Sequence, residues 1–169
     1  MYSQVYLLMI LSIWFTGAKN LADAGHQGTT PVDDTERDTC AAYANQPLPH
    51  YRVANRFLKK EPVYIHLYVS VDRREITRAE MIALVCKLGQ ENAEADTLSI
   101  QVFDRFQVAT KFGPNNEGDP AGADKSRRAI YIFSREPGEA HGQRLDWLPS
   151  NEREWKRIYL GPPPARPGQ

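Results

Sequence analysis

Val63–Val71 (VYIHLYVSV) alternates without a break, with Val63, Ile65, Leu67, Val69 and Val71 on one face and Tyr64, His66, Tyr68 and Ser70 on the other. A period of two in β-branched and aromatic residues predicts a strand with one buried face. That aliphatic face needs a cover, and the next segment supplies one. Thr77-x-x-Glu80 is a capping box, in which the Thr oxygen accepts from the Glu80 amide while Glu80 reaches back. Ile76 before the cap and Met81 inside it form a hydrophobic staple. Met81, Leu84, Val85 and Leu88 then follow at helical spacing, with Gly89 and Asn92 as stop signals.

The rest of the chain extends this unit. Thr97–Phe103 predicts a second strand with Leu98, Ile100 and Val102 inward, and Asp104-x-x-Gln107 predicts a short helix over Arg105–Phe112. Arg128–Ser134 predicts a third strand, with Ile130 and Ile132 on the inner face and Tyr131 and Phe133 on the outer one. Leu145–Leu148 and Glu154–Leu160 predict a terminal hairpin, while Tyr51–Leu58 reads as a short strand or an irregular lid. Cys40–Pro49 has room for one helical turn before its prolines end it. The expected class is α+β: a small mixed β-sheet with one principal helix packed on one face, a short second helix and a C-terminal hairpin. Residues 40–160 are expected to form that single domain, with residues 19–39 a flexible lead-in and the Pro-rich residues 161–169 a disordered tail.

The stretch YIHLYVSVDRREITRAEMIALVCKLGQENAEADTLSIQVFDRFQVAT resembles a strand–helix–strand module of uncharacterised bacterial small α/β proteins, many of them exported. Thr77–Glu80 at the helix start and Asp96–Asp104 around the following strand carry the similarity. The resemblance implies a fold unit and transfers no activity.

Val5–Phe15 (VYLLMILSIWF) is too short for a membrane span, which needs about twenty apolar residues, and suits the core of a signal peptide over residues 1–18. Thr16-Gly17-Ala18 and Ala22-Asp23-Ala24 offer cut sites, so cleavage is expected near Ala18 or Ala24. The expected location is secreted or periplasmic, with no membrane attachment after cleavage. The two cysteines, Cys40 and Cys86, both survive that cut and are expected to form a disulfide. Spaced that far apart, with no histidine cluster, they make a poor zinc site.

Charge and motif narrow the function classes. Lys plus Arg and Asp plus Glu both total 21, so the chain lacks the basic excess of a nucleic-acid binder. It has no P-loop, G-x-G-x-x-G or G-x-S-x-G, so no cofactor, nucleotide or nucleophile elbow is implied. The four histidines (His26, His50, His66 and His141) join no triad pattern, and no catalytic residue or metal ligand is assigned. The oxygen-rich run Asn115–Asp119, with Asp124 beyond it, lacks the order of a calcium loop and reads as a solvated turn.

Two candidate sites remain. Tyr64, His66, Tyr68, Ser99, Gln101, Phe103, Tyr131 and Phe133 are expected on the outer sheet face, an aromatic and polar surface suited to a protein, peptide or glycan partner. Of these, Tyr64, His66, Tyr68, Phe103 and Tyr131 are the candidate contacts of a non-enzymatic binding domain. The alternative is a metal-assisted hydrolase using Asp72 and Asp104, which would flank the carboxyl ends of two neighbouring strands if those run parallel. A further alternative is a structural or inhibitory envelope protein that works through its whole surface.

Overall fold

The computed structural model describes residues 36–112, 123–135 and 142–168, all within one unit, Asp33–Gln169. The candidate signal segment, both cut sites, His26, His141 and Asn115–Asp119 lie outside the described residues.

Among the described residues, seven strands form one mixed sheet in the order β1-β7-β6-β5-β4-β3-β2. They are β1 (Glu36–Arg37), β2 (Tyr51–Lys60), β3 (Val63–Val71), β4 (Thr97–Phe103), β5 (Arg127–Ser134), β6 (Gly142–Trp147) and β7 (Lys156–Tyr159). β3 and β4 are parallel, as are β1 and β7; all other neighbours are antiparallel. The helices are α1 (Arg78–Glu91) and two single turns, α2 (Phe106–Ala109) and α3 (Ala123–Ser126). The class is therefore mixed α/β with little helix.

Both halves of the α1 capping box form: Thr77 Oγ1 accepts from the Glu80 amide at 3.2 Å, and Glu80 Oε2 accepts from the Thr77 amide at 3.0 Å. Asn92 closes the other end by donating to the Leu88 carbonyl at 2.8 Å. Met81, Leu84, Val85 and Leu88 enter one buried cluster with Ile65, Leu67, Val69, Leu98, Ile100 and Val102. Each buried aliphatic side chain contributes roughly 1.5–3 kcal/mol, which makes this cluster the main source of stability.

The third strand corrects the expected assignment of faces. Ala129, Tyr131 and Phe133 are fully buried and join the core, while Ile130 and Ile132 lie half-exposed on the opposite face. Both sets are apolar, so alternation alone divides the faces without saying which is inward. The antiparallel register against β4 sets Tyr131 opposite Ile100 and Phe133 opposite Leu98, on the side of the core. One residue of shift exchanges every side chain between faces.

The chain ends also depart from expectation. β1 pairs with β7, so the ordered body begins before Cys40. Residues 161–168 are a strap rather than a disordered tail: Gln143 Nε2 donates to the Pro162 carbonyl at 2.6 Å, Arg135 donates to the Pro164 carbonyl, and Arg166 pairs with Asp96. Proline-rich backbone still offers carbonyl acceptors, and the side chains of Gln143 and Arg135 take them. Tyr51–Leu58 is neither short nor a lid; it lies within the ten-residue edge strand β2.

Candidate functional site

The face away from α1 is organised in cross-strand rows. One runs Phe57, His66, Ser99, Ile132, Arg144 and Tyr159; the next runs Tyr68, Gln101, Ile130, Asp146 and Arg157. Tyr64 stands beside them opposite Thr97 and carries the Lys59 ammonium 5.5 Å above its ring. Most of these side chains are half-exposed, so aromatic rings alternate with hydroxyl, amide and charged groups across a water-facing surface. Burial holds His66 below the usual imidazole range, so it is neutral near pH 7. Gln101 Oε1 is buried with no hydrogen-bond partner among the described residues. A buried lone acceptor of this kind costs about 1–3 kcal/mol until a donor reaches it.

The five candidate contacts do not stay together. Tyr64 and His66 remain on the open part of the face. Tyr68 is half-buried, stacked on Phe112 with ring centroids 5.4 Å apart. Phe103 points to the expected face but is fully buried, 4.9 Å from the Phe112 ring, in a small second core with Ala109 and Ala123. Tyr131 is on the opposite face altogether, where it donates to Gln143 Oε1 at 2.5 Å. Phe103 and Tyr131 are therefore not surface contacts.

Neither Tyr51–Leu58 nor the terminal hairpin covers the outer face; both widen the sheet. The cover over Phe103 and Tyr68 comes from α2 and Phe112, anchored by Asn55 Nδ2 donating to the Thr110 carbonyl at 3.1 Å and also to the Phe112 carbonyl. The signal for this contact was slight: Phe106, Val108, Ala109 and Phe112 are all apolar, and the spacing alone does not say that Ala109 and Phe112 turn inward while Phe106 stays exposed.

Asp72 and Asp104 do follow the two parallel strands, yet each is engaged. Asp104 accepts from Ser126 Oγ at 2.8 Å and from two nitrogens of Arg128, and both side chains of that ion pair are under 10 % exposed (7 % and 6 %). The helix-capping role expected of Asp104 is absent, since the α2 cap is Arg105 with no side-chain bond. Asp72 is a surface acid paired with His50, with Arg52 3.7 Å away. A cleft of about 510 Å³ lies over Asp104, lined by Arg74, Arg105, Lys125 and Arg128. Asp124 pairs with Arg127 at 3.5 Å. Among the described residues no three His, Cys, Asp or Glu side chains gather into a metal-binding group.

The Cys40–Cys86 disulfide is present, with Cα atoms 5.5 Å apart, and ties the 3-10 turn Cys40–Tyr43 to α1. It is consistent with an oxidising, extracellular compartment. Among the described residues, no helix is long and apolar enough to cross a membrane. Comparison with known proteins adds no relative: no family model, no curated protein and no solved structure matches the chain.

Proposed function

We propose that this is an exported, non-enzymatic interaction domain that binds through the open face of its sheet, around Tyr64, His66 and the exposed side of Tyr68. In this reading α1 closes one face of an α+β domain and leaves the other for a partner. One observation carries it: the uncovered rows set aromatic rings beside hydroxyl, amide and charged groups. Such a surface suits a partner that brings both apolar area and hydroxyl or amide donors, as a peptide or a glycan does. A depression of about 460 Å³ between Ile130, Asp146, Trp155 and Arg157 continues it toward the hairpin. A secreted or periplasmic location fits the disulfide and the apolar N-terminal run.

The hydrolase alternative is weaker, because the Arg128 fork and Ser126 already occupy the Asp104 carboxylate. Peptide and glycan arrays probed with the wild-type protein and with a Tyr64→Ala/His66→Ala variant test the proposal. Ligands that lose at least tenfold in affinity with the variant support it; hits indifferent to the double substitution refute it. Calorimetric titration with calcium, magnesium and zinc examines the alternative, and heat abolished by Asp104→Asn would favour the hydrolase.

A further inference from the structure

We propose that β2 is a docking edge that takes an extended, acidic segment of a partner protein as an added strand. β2 ends the sheet, and among the described residues its sole strand neighbour is β3. Beyond the bulge at Val53/Asn55, alternate backbone N–H and C=O groups of residues 55–60 therefore face outward over roughly 20 Å, at about 3.3 Å per residue. Three of the six exposed large apolar side chains among the described residues lie on it: Val53 at 47 %, Phe57 at 36 % and Leu58 at 46 %. A long edge with exposed apolar side chains is a template for strand addition.

Charge selects the occupant. β2 carries Arg52, Arg56, Lys59 and Lys60 and no acid. A second copy pairing antiparallel with β2 about Arg56 would set Arg56 against Arg56 and Arg52 against Lys60, which destabilises directly opposed strand positions. The bulge between Val53 and Asn55 further interrupts self-pairing. An acidic strand meets no such repulsion, and residues 55–60 beyond the bulge give it a regular edge to pair with. Arg56 is only loosely engaged, 3.4 Å from Glu94 with both side chains half-exposed, and Lys60 has no ion partner among the described residues.

Register adds specificity. Phe57 and Lys59 share the face of His66 and Tyr64, while Leu58 and Lys60 share the face of Ile65 and Val63. An incoming strand thus meets two apolar positions and then two cationic ones, and its best complement places two apolar residues beside two acids. The probe is the blocked peptide Thr-Glu-Glu-Ile-Val-Glu-Thr, compared with the version carrying lysine for each glutamate.

Fluorescence anisotropy with the disulfide-intact protein should show the acidic peptide binding at least tenfold tighter than the lysine peptide. It should also slow amide hydrogen exchange along β2. The Lys59→Glu/Lys60→Glu variant, altered at exposed positions and checked by an unchanged thermal melt, should reverse the preference. Equal affinity for both peptides, no binding at millimolar peptide, or an unreversed preference in the variant each overturns the proposal. Sedimentation showing a dimer with β2 amides protected would overturn it in favour of a second copy.

Discussion

Gly89 lies in the last turns of α1 at the point where the helix meets β5, and replacing it with alanine tests how the core is assembled. An ideal Cβ there would lie 2.7 Å from the Tyr131 hydroxyl oxygen, closer than real contacts permit. Alanine in a helix gains about 0.5–1 kcal/mol over glycine, whereas overpacking a dense core costs about 1–3 kcal/mol. The Tyr131 hydroxyl cannot simply move away. It is buried and donates to Gln143 Oε1, and burial pushes the phenol pKa up so that it keeps its proton. Gly89→Ala is therefore expected to lower stability by up to about 2 kcal/mol. Tyr131→Phe alone should cost about 1–3 kcal/mol, because Gln143 Oε1 loses its donor. In the Tyr131→Phe background the nearest remaining atom is the ring carbon Cζ at 3.4 Å, an ordinary contact, so the alanine should now stabilise. Urea unfolding of the four proteins, followed by circular dichroism with the disulfide intact, should give a coupling energy of about 1–3 kcal/mol. Additive effects, with Gly89→Ala stabilising in both backgrounds, would mean that Tyr131 does not meet the helix and that the face assignment of β5 is wrong.

Asp104→Ala should destabilise by about 3–5 kcal/mol, since it strands the buried Arg128 guanidinium, and an unfolding midpoint within error of wild type would contradict that. Replacing both cysteines with serine should cost about 4 kcal/mol on the chain-entropy model for a separation of 46 residues, read from denaturant unfolding. His66 has a lowered folded-state pKa because of burial, so its contribution to stability is complete above the unfolded value of about 6.5 and is lost as pH falls below it. Comparing urea midpoints at pH 8 and pH 5.5 should show a larger acid loss for wild type than for His66→Gln.

Local chemistry was legible wherever one interpretation excluded the rest. The alternation of Val63–Val71 admits one secondary structure, and Thr77-x-x-Glu80 starts a helix whether or not a sheet lies beneath it. The hairpin of β6 and β7 likewise follows from two apolar runs around a Pro149-Ser150-Asn151 turn. The candidate site was only half legible. Tyr64 and His66 lie opposite an aliphatic face that must be buried, so their outward direction is forced by their own strand.

Where a strand was apolar on both faces, or a residue's surroundings came from distant segments, local pattern fell silent. Ile130 and Ile132 are as hydrophobic as Tyr131 and Phe133, and what turned the latter pair inward was the register against β4, which sets them opposite Ile100 and Leu98, and an amide on β6 able to accept from the Tyr131 hydroxyl. Phe103 disappears beneath Phe112, a contact set by where the short turn α2 comes to rest. Asp104 became an ion-pair partner because Arg128 arrives from β5. Side-chain periodicity is a property of a strand by itself, whereas burial and charge pairing belong to whatever lies on the other side. The sequence alone therefore determined the elements, and the tertiary structure decided which of their faces met water.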